Sequence, residues 1–205
     1  MKQMDLSDLP EYAEGTIWLN EDIEGYQITD ADIYFEEDYK ELYHLRINKS
    51  RFHDGFESRH VVKVQFFNCD FSNVRFESST LKDVEFNQCN MTGTEFSNMN
   101  MMSVAFNECK MMLNNFTECK FENIHFNDIQ FKQLYFNQIK VKSLDFARCS
   151  ISDFEVFDTP LQNVDLSDID FGEITVQKED LESSIISIDQ ASKFVELFGI
   201  RVKRE

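Results

Sequence analysis

Apolar residues recur at every fifth position from Phe66 to Val176, passing through Phe71, Phe76, Leu81 and Phe86 to Phe171 without a lost register. All 23 such positions are apolar in a chain that is 42% hydrophobic, which chance would give with a probability on the order of 10⁻⁹. A period of five suits neither a 3.6-residue helix nor a two-residue strand alternation, so each unit is a short extended piece followed by a corner. Two residues before each large position stands a smaller one: Val64, Cys69, Val74, Ser79, Val84, Cys89 and onward to Ile174. Of these only Ser79, Thr94, Asn114 and Thr159 are polar. Two inward residues in five, with one outward between them, describe one face of a polygonal coil.

The number of faces follows from the columns. A step of 20 aligns Phe66, Phe86, Phe106, Phe126 and Phe146, and likewise Phe76, Phe96, Phe116 and Phe136, whereas a step of 15 mixes Phe with Leu and Met. Four faces per turn make a section of about six coils near 30 Å long, at the strand spacing of about 4.8 Å. Units such as Phe67-Asn68-Cys69-Asp70-Phe71 and Phe86-Asn87-Gln88-Cys89-Asn90-Met91 resemble those of the pentapeptide-repeat proteins. The resemblance implies an all-β fold, a right-handed quadrilateral β-helix, and supplies the hand that the columns do not.

Three segments are expected. Residues 1–63 form an N-terminal cap with irregular early coils, since Trp18, Ile23, Ile28 and Ile33 are five apart but in another register. The phase breaks over 34–43 and again over 53–63, each break leaving room for a protruding loop that would carry specificity. Residues 64–177 form the continuous β-helix. Residues 178–205 hold a short capping α-helix: Ser187-Ile188-Asp189-Gln190 reads as a capping box, Ala191, Phe194, Val195 and Phe198 follow at helical spacing, and Gly199 is a terminator. Ile200-Arg201-Val202 reads as a short strand. An open β-helix end exposes both a sheet edge and an apolar core, which this helix would cover. Phe194, Val195, Leu197, Phe198 and Ile200 offer more apolar surface than a cap needs, so they either close the end or also join two copies about a two-fold axis.

Charge changes the picture from scaffold to ligand-bearing surface. The chain carries 38 acidic and 20 basic residues, a net charge of -18. The face centred on Phe66, Phe86 and Phe106 displays Glu85, Glu108, Asp128, Asp145, Asp165 and Asp168 against Arg148 alone. Two faces on, Glu77, Glu95, Glu118, Glu155 and Asp158 stand against Arg75, while the face between, centred on Leu81 and Phe121, carries Lys63, Lys82, Lys120, Lys140 and Lys142 against Asp83 and Glu122.

Chemistry is harder to find. The 4 His form no His-Glu-x-x-His pair, the 6 Gly build no phosphate loop, and no Gly-x-Ser-x-Gly elbow occurs, so an enzyme, a cofactor and a small-molecule substrate are not expected. Cys69, Cys89, Cys109, Cys119 and Cys149 all take the small inward position and read as apolar filler of a reducing, cytoplasmic compartment rather than as metal ligands. Thr94 and Asn114 read as polar side chains satisfied by nearby backbone. No apolar run is long enough for a membrane span.

The ending Phe194-Val195-Glu196-Leu197-Phe198-Gly199-Ile200-Arg201-Val202 is similar to the C-terminal segment of Qnr-type quinolone-resistance proteins and their topoisomerase-protecting relatives. That resemblance implies a homodimer through the C-terminal ends and a target, DNA gyrase or topoisomerase IV, whose DNA channel an acidic rod occupies in place of nucleic acid. The six carboxylates of the first acidic face would stand in for phosphates. The departure is that both phase breaks here precede Val64. A non-enzymatic interaction scaffold with an unrelated partner is the alternative, and the five lysines on one side favour it.

Overall fold

The structure, a computed structural model, describes residues 5–12, 15–20 and 23–203. Its geometry explains the five-residue period through the corners. Two residues after most large inward side chains the backbone enters the left-handed region: Asn68 (φ 54°), Asn73 (60°), Ser78 (52°), Asp83 (54°) and Gln88 (55°) begin a series that continues through Gly93 (71°), Asn98 and Ser103. A Cβ is crowded in that conformation, so short polar residues and glycine populate the column. Leu113 (φ 60°) is the apolar exception and is 55% exposed.

Between corners the chain is extended, and successive coils pair as parallel strands 20 residues apart, with Phe66 opposite Phe86, Phe86 opposite Phe106 and Phe106 opposite Phe126. The strands assemble into seven-stranded and eight-stranded sheets plus a three-stranded one at the N-terminal end. The result is a four-sided parallel β-solenoid of about 8 turns. Phe66, Phe86, Phe106 and Phe126 stack with centroids 5.0 Å apart and planes within 16°. On another face Phe56, Phe76, Phe96 and Phe116 stack at 4.3 to 4.9 Å, and the ladder ends at Phe136, whose ring stands at 90° to Phe116. There Phe121, in a column where earlier coils have Leu81 and Met101, meets both rings edge-on.

The small inward position is a hydrogen-bonding column as well as a packing one. Ser79 Oγ donates to Phe56 O (2.7 Å), Thr94 Oγ1 to Phe71 O (2.9 Å) and Asn114 Nδ2 to Met91 O (2.7 Å), each reaching the coil below. Cys109 and Cys149 place their Sγ 3.3 Å from the matching carbonyls of Phe86 and Phe126. All five cysteines are free and buried. Burial drives the Cys119 thiol up to about 12, the reverse of what a reactive thiolate needs.

The early coils correct the sequence reading in two places. The rod starts at the strand Gly15–Leu19, where Ile17 and Leu19 are buried and Trp18 points outward, 54% exposed. Neither phase break makes a protruding loop. Leu42 pairs with Val61 and Ile47 with Phe66, 19 apart, whereas Val61 pairs with Leu81, 20 apart. Ile28 pairs with Ile47, also 19 apart, across the first break, so each break is a face shortened by one residue, the second lying between the buried Phe52 and Phe56. Arg59, the residue in the small inward position of the next face, is 8% exposed; it lays its guanidinium over the Phe35 ring at 3.8 Å and donates to the Tyr39 carbonyl.

At the other end the sheet opens. Thr80, Asn100, Lys120 and Lys140 each donate their N–H to the coil below, to the carbonyls of Arg59, Ser79, Met99 and Cys119. The next residue in the column is Pro160, which has no N–H. Among the described residues no backbone hydrogen bond joins 140–148 to 160–168; Leu161, Asn163 and Leu166 donate onward to Asp180, Ser183 and Ile185 instead. The opposite faces stay zipped through the strands Ser150–Phe157 and Asp170–Val176.

The helix Ile188–Leu197 closes the end as expected, with the full capping box at Ser187 and Gln190 and with Gly199 at φ 77°. Phe194 is buried edge-on against Phe171 at 5.9 Å. Gln190 Nε2 donates to Leu166 O (2.9 Å) and Ile169 O (2.7 Å), and Lys193 Nζ donates to Phe171 O. The helix therefore answers the last coil's orphaned carbonyls as well as covering its core. Ile200, Arg201 and Val202 form no strand.

Candidate partner-binding surface

The acidic face is built from two neighbouring columns. Gln65, Glu85, Ala105, His125 and Asp145 occupy one outward column, because consecutive coils hold them in lateral register. Gln88, Glu108, Asp128 and Arg148 occupy the left-handed corner beside it. Corners project furthest from the rod, so charges there meet a partner first.

Much of this face is internally answered. Glu85 is 8% exposed and accepts from Gln65 Nε2 at 2.8 Å, which withdraws it from the surface. Glu108 accepts from Gln88 Nε2 at 2.9 Å. Asp128 is held by a two-pronged pair with Arg148 (2.6 Å from Nε and 2.5 Å from Nη2) that lowers its pKa. Asp145 lies 3.4 Å from His125 Nδ1. Asp165 accepts from the Ser167 hydroxyl and backbone N–H, which holds its pKa low and keeps it ionised. Asp165 and Asp168 are exposed and, among the described residues, have no cationic partner. On the other faces Arg75 meets Glu95 at 3.2 Å and Lys142 pairs with Glu122, whereas Glu77, Glu118 and Glu155 have no cationic partner among the described residues. Unanswered carboxylates of the first face are therefore left mainly on the coil beneath the helix.

Beside that coil lies an apolar surface. Phe194 has turned inward and Val195 is half-buried, but Leu197 (40%), Phe198 (41%) and Ile200 (59%) are exposed, and Ile185 and Ile188 join them. The buried Asp180 sits close by, accepting from Thr159 N at 2.9 Å through Oδ1 with Oδ2 unpartnered; burial raises its pKa, and Asp158 and Glu179 reinforce the shift.

Two surface features escaped the sequence reading because they depend on which residues the short early coils bring level. Trp18, Tyr34 and His53 form an outward ladder with centroids 5.0 and 4.7 Å apart, and His53 Nε2 meets Asp32 at 2.6 Å. Glu24, Tyr39, Glu41 and Tyr43 line a cleft of about 330 Å³. No group of three or more His, Cys, Asp or Glu among the described residues is arranged to hold a metal ion, and no helix there is long and apolar enough to cross a membrane.

The family described as pentapeptide repeat region matches residues 40–116 and 110–186. Solved structures similar to the chain include a trypsin-treated form of QnrB1, a plasmid-mediated fluoroquinolone resistance protein (15% identity, covering 93% of this chain and 100% of that one, TM-score 0.42). Full-length QnrB1 (15%, 92% and 98%, TM-score 0.30) is another. HetL, a pentapeptide-repeat protein involved in heterocyst differentiation regulation from the cyanobacterium Nostoc sp. strain PCC 7120, is a third (8%, 84% and 86%, TM-score 0.28). Superposition at that level carries no argument about what the rod does. Among curated proteins, none matches the chain.

Proposed function

The chain belongs to the pentapeptide-repeat family, and from that premise we propose that it is a non-enzymatic acidic rod that occupies the DNA-binding channel of a type II topoisomerase, DNA gyrase or topoisomerase IV. The observation that carries this reading is the pair of exposed, cation-free carboxylates Asp165 and Asp168 on the coil beside the capping helix. A two-fold axis through Leu197, Phe198 and Ile200 doubles that acidic end and yields a homodimer whose centre is both acidic and rigid. The channel's lysines and arginines would meet carboxylates at regular rises in place of phosphates. Protection of that enzyme from quinolones is the corresponding role in a cytoplasmic setting.

The experiment is a supercoiling assay with purified gyrase. The wild-type chain should inhibit, and inhibition should fall as salt rises. Asp165→Lys combined with Asp168→Lys should abolish the effect, whereas Asp128→Asn, at a carboxylate already held by Arg148, should change it little. An inert wild-type chain up to high micromolar concentration would refute the topoisomerase reading. A scaffold with an unrelated partner is the second reading, favoured by the internal pairing of Glu85, Glu108 and Asp128 along the middle of the rod.

A further inference from the structure

The cleft near the N-terminal end is built from two coils. Glu41 and Tyr43 project from the same side of the strand Glu41–Asn48, being two apart, and Tyr39 precedes them. Glu24 is brought level from the coil below, pinned by the hydrogen bond from Gly25 N to His44 O at 3.0 Å. Among the described residues these four line an open cleft of about 330 Å³, within the size range of small ligand clefts, roughly 300 to 1,000 Å³.

Its carboxylates differ from several others along the rod. Glu95, Glu108, Glu122 and Asp128 each meet a cation or an amide donor. Glu24 and Glu41 make no ion pair or hydrogen bond among the described residues, although both are exposed beside two half-buried tyrosine rings. Burial, then Glu41 and Glu24, push the Tyr39 phenol to about 12, so both carboxylates act on the same point of the cleft. Ring faces and carboxylates around one small space attract a cation from two sides, the rings through their negative faces and the carboxylates through charge. The chain already stacks guanidinium groups in this way: Arg59 lies over Phe35 at 3.8 Å and Arg46 over Phe67 at 4.3 Å. Lys63, 5.5 Å from the Tyr43 centroid and 3.4 Å from its hydroxyl, shows that Tyr43 itself receives a cation from the coil above.

We propose that the Glu24, Tyr39, Glu41 and Tyr43 cleft is a socket for one arginine side chain presented by a basic protein partner. Arginine fits better than lysine because its planar, weakly hydrated guanidinium stacks on a ring while donating to carboxylates in the ring plane. The socket stands at the opposite end of the rod from Asp165 and Asp168 and does not rest on the topoisomerase reading.

The test uses the full chain, with backbone amide NMR shifts as the readout and three probes: the blocked tripeptides acetyl-Gly-Arg-Gly-amide, acetyl-Gly-Lys-Gly-amide and the neutral isostere acetyl-Gly-citrulline-Gly-amide. The arginine peptide should give saturable shifts centred on residues 24, 39, 41 and 43, the lysine peptide should bind more weakly, and citrulline should not bind. Glu24→Gln with Glu41→Gln, both at exposed positions, and Tyr43→Leu should each weaken arginine binding about fivefold to thirtyfold, the range of a cation–ring or partly desolvated ionic contact of about 1 to 2 kcal/mol. Unchanged spectra elsewhere would certify the fold of each variant. Shifts spread evenly over the acidic surface, citrulline binding as well as arginine, or variants binding like wild type would each overturn the assignment. An inert gyrase assay would leave a positive result here standing.

Discussion

Gly172 lies in the strand Asp170–Val176, where it needs no unusual φ; what it needs is space. A Cβ built there would fall 2.2 Å from the Ser152 carbonyl oxygen, 2.9 Å from its carbon and 3.0 Å from its Cα. All three are backbone atoms of the neighbouring coil, so no side chain can swing aside. Relief requires the coils to part by about 1 Å, which lengthens the two ladder hydrogen bonds flanking the contact at about 1 kcal/mol each and adds an overpacking cost of about 1 kcal/mol or more. Gly172→Ala should therefore destabilise by about 2 to 4 kcal/mol. Because Phe171 supports Phe194, the loss should appear first as undocking of the capping helix. Urea unfolding followed by circular dichroism, with exchange protection of the 188–197 amides as the local readout, measures both. Gly199→Ala, at a site with nothing within 4 Å of the added Cβ but with φ 77°, serves as the comparison and should cost no more than about 1 kcal/mol. A Gly172→Ala variant within 0.5 kcal/mol of wild type would refute the argument that this approach is rigid.

Two further perturbations follow from the same end of the rod. Asp180 has its folded pKa raised by burial, so its protonated form is favoured on folding and the associated stability is lost as pH rises above the ordinary carboxylate value of about 3.9. Asp180→Asn should accordingly stabilise by about 1 kcal/mol at neutral pH and by nothing below about pH 4; a gain that is the same at both pH values would contradict the cause given. At the open step, Ile124 N–H is bonded to Ser143 O but the equivalent Leu144 N–H has no backbone partner among the described residues, so Leu144 should exchange its amide proton at least tenfold faster than Ile124. Pro160→Ala restores a donor opposite Ile139 O and should slow exchange at Leu144; equal protection of Leu144 and Ile124 in the wild type would show the step to be closed in solution.

What could be read in the sequence was whatever repeats. Phe66 to Val176 fixed the inward columns, and a 20-residue step fixed the four sides, because a core position is specified by side-chain size and each coil samples it again. The corner column was equally legible in principle: Asn68, Asn73, Ser78, Asp83 and Gly93 are the residues a left-handed turn selects. Features that occur once were not legible. Trp18 is five residues before Ile23 yet faces out, since the first coil is short: Gly15 pairs with Ala31, 16 apart. The one-residue contractions near 34–43 and 53–63 imitate loops in sequence because only lateral pairing shows that the backbone continues through them. Glu85 belonged to the acidic face by position, and only the contact with Gln65 shows that its charge is turned aside. A face assignment gives direction; it does not give the neighbour that neutralises.

This distinction bears on how the rod meets a partner. Along its middle, carboxylates and cations 20 residues apart sit on adjacent strands and answer one another, as in Arg148 with Asp128, Lys142 with Glu122 and Glu95 with Arg75. The same register that builds the core therefore also pairs part of the central surface, while Glu77, Glu118 and Glu155 have no cationic partner among the described residues. At the ends register fails: the first coils are short, and above Pro160 the coil leaves its neighbour. Unanswered charge at the ends lies at Glu24 and Glu41 on one side and at Asp165 and Asp168 on the other. From Leu42 to Val141 the columns climb five paired steps, about 24 Å at about 4.8 Å per step, and the coil of Asp165 and Asp168 lies beyond them. A β-solenoid holds the paired part of that separation rigidly, because each coil from Leu42 to Val141 is hydrogen-bonded to the next. A partner that engages both ends must present its basic groups at the same spacing, and shortening the rod by one 20-residue coil, for example by deleting residues 87–106, should preserve each end's own binding while breaking simultaneous engagement. Affinity of the intact rod for a two-site partner should then fall to that of the stronger end alone, measured by titration calorimetry; undiminished affinity in the shortened rod would show that one end suffices.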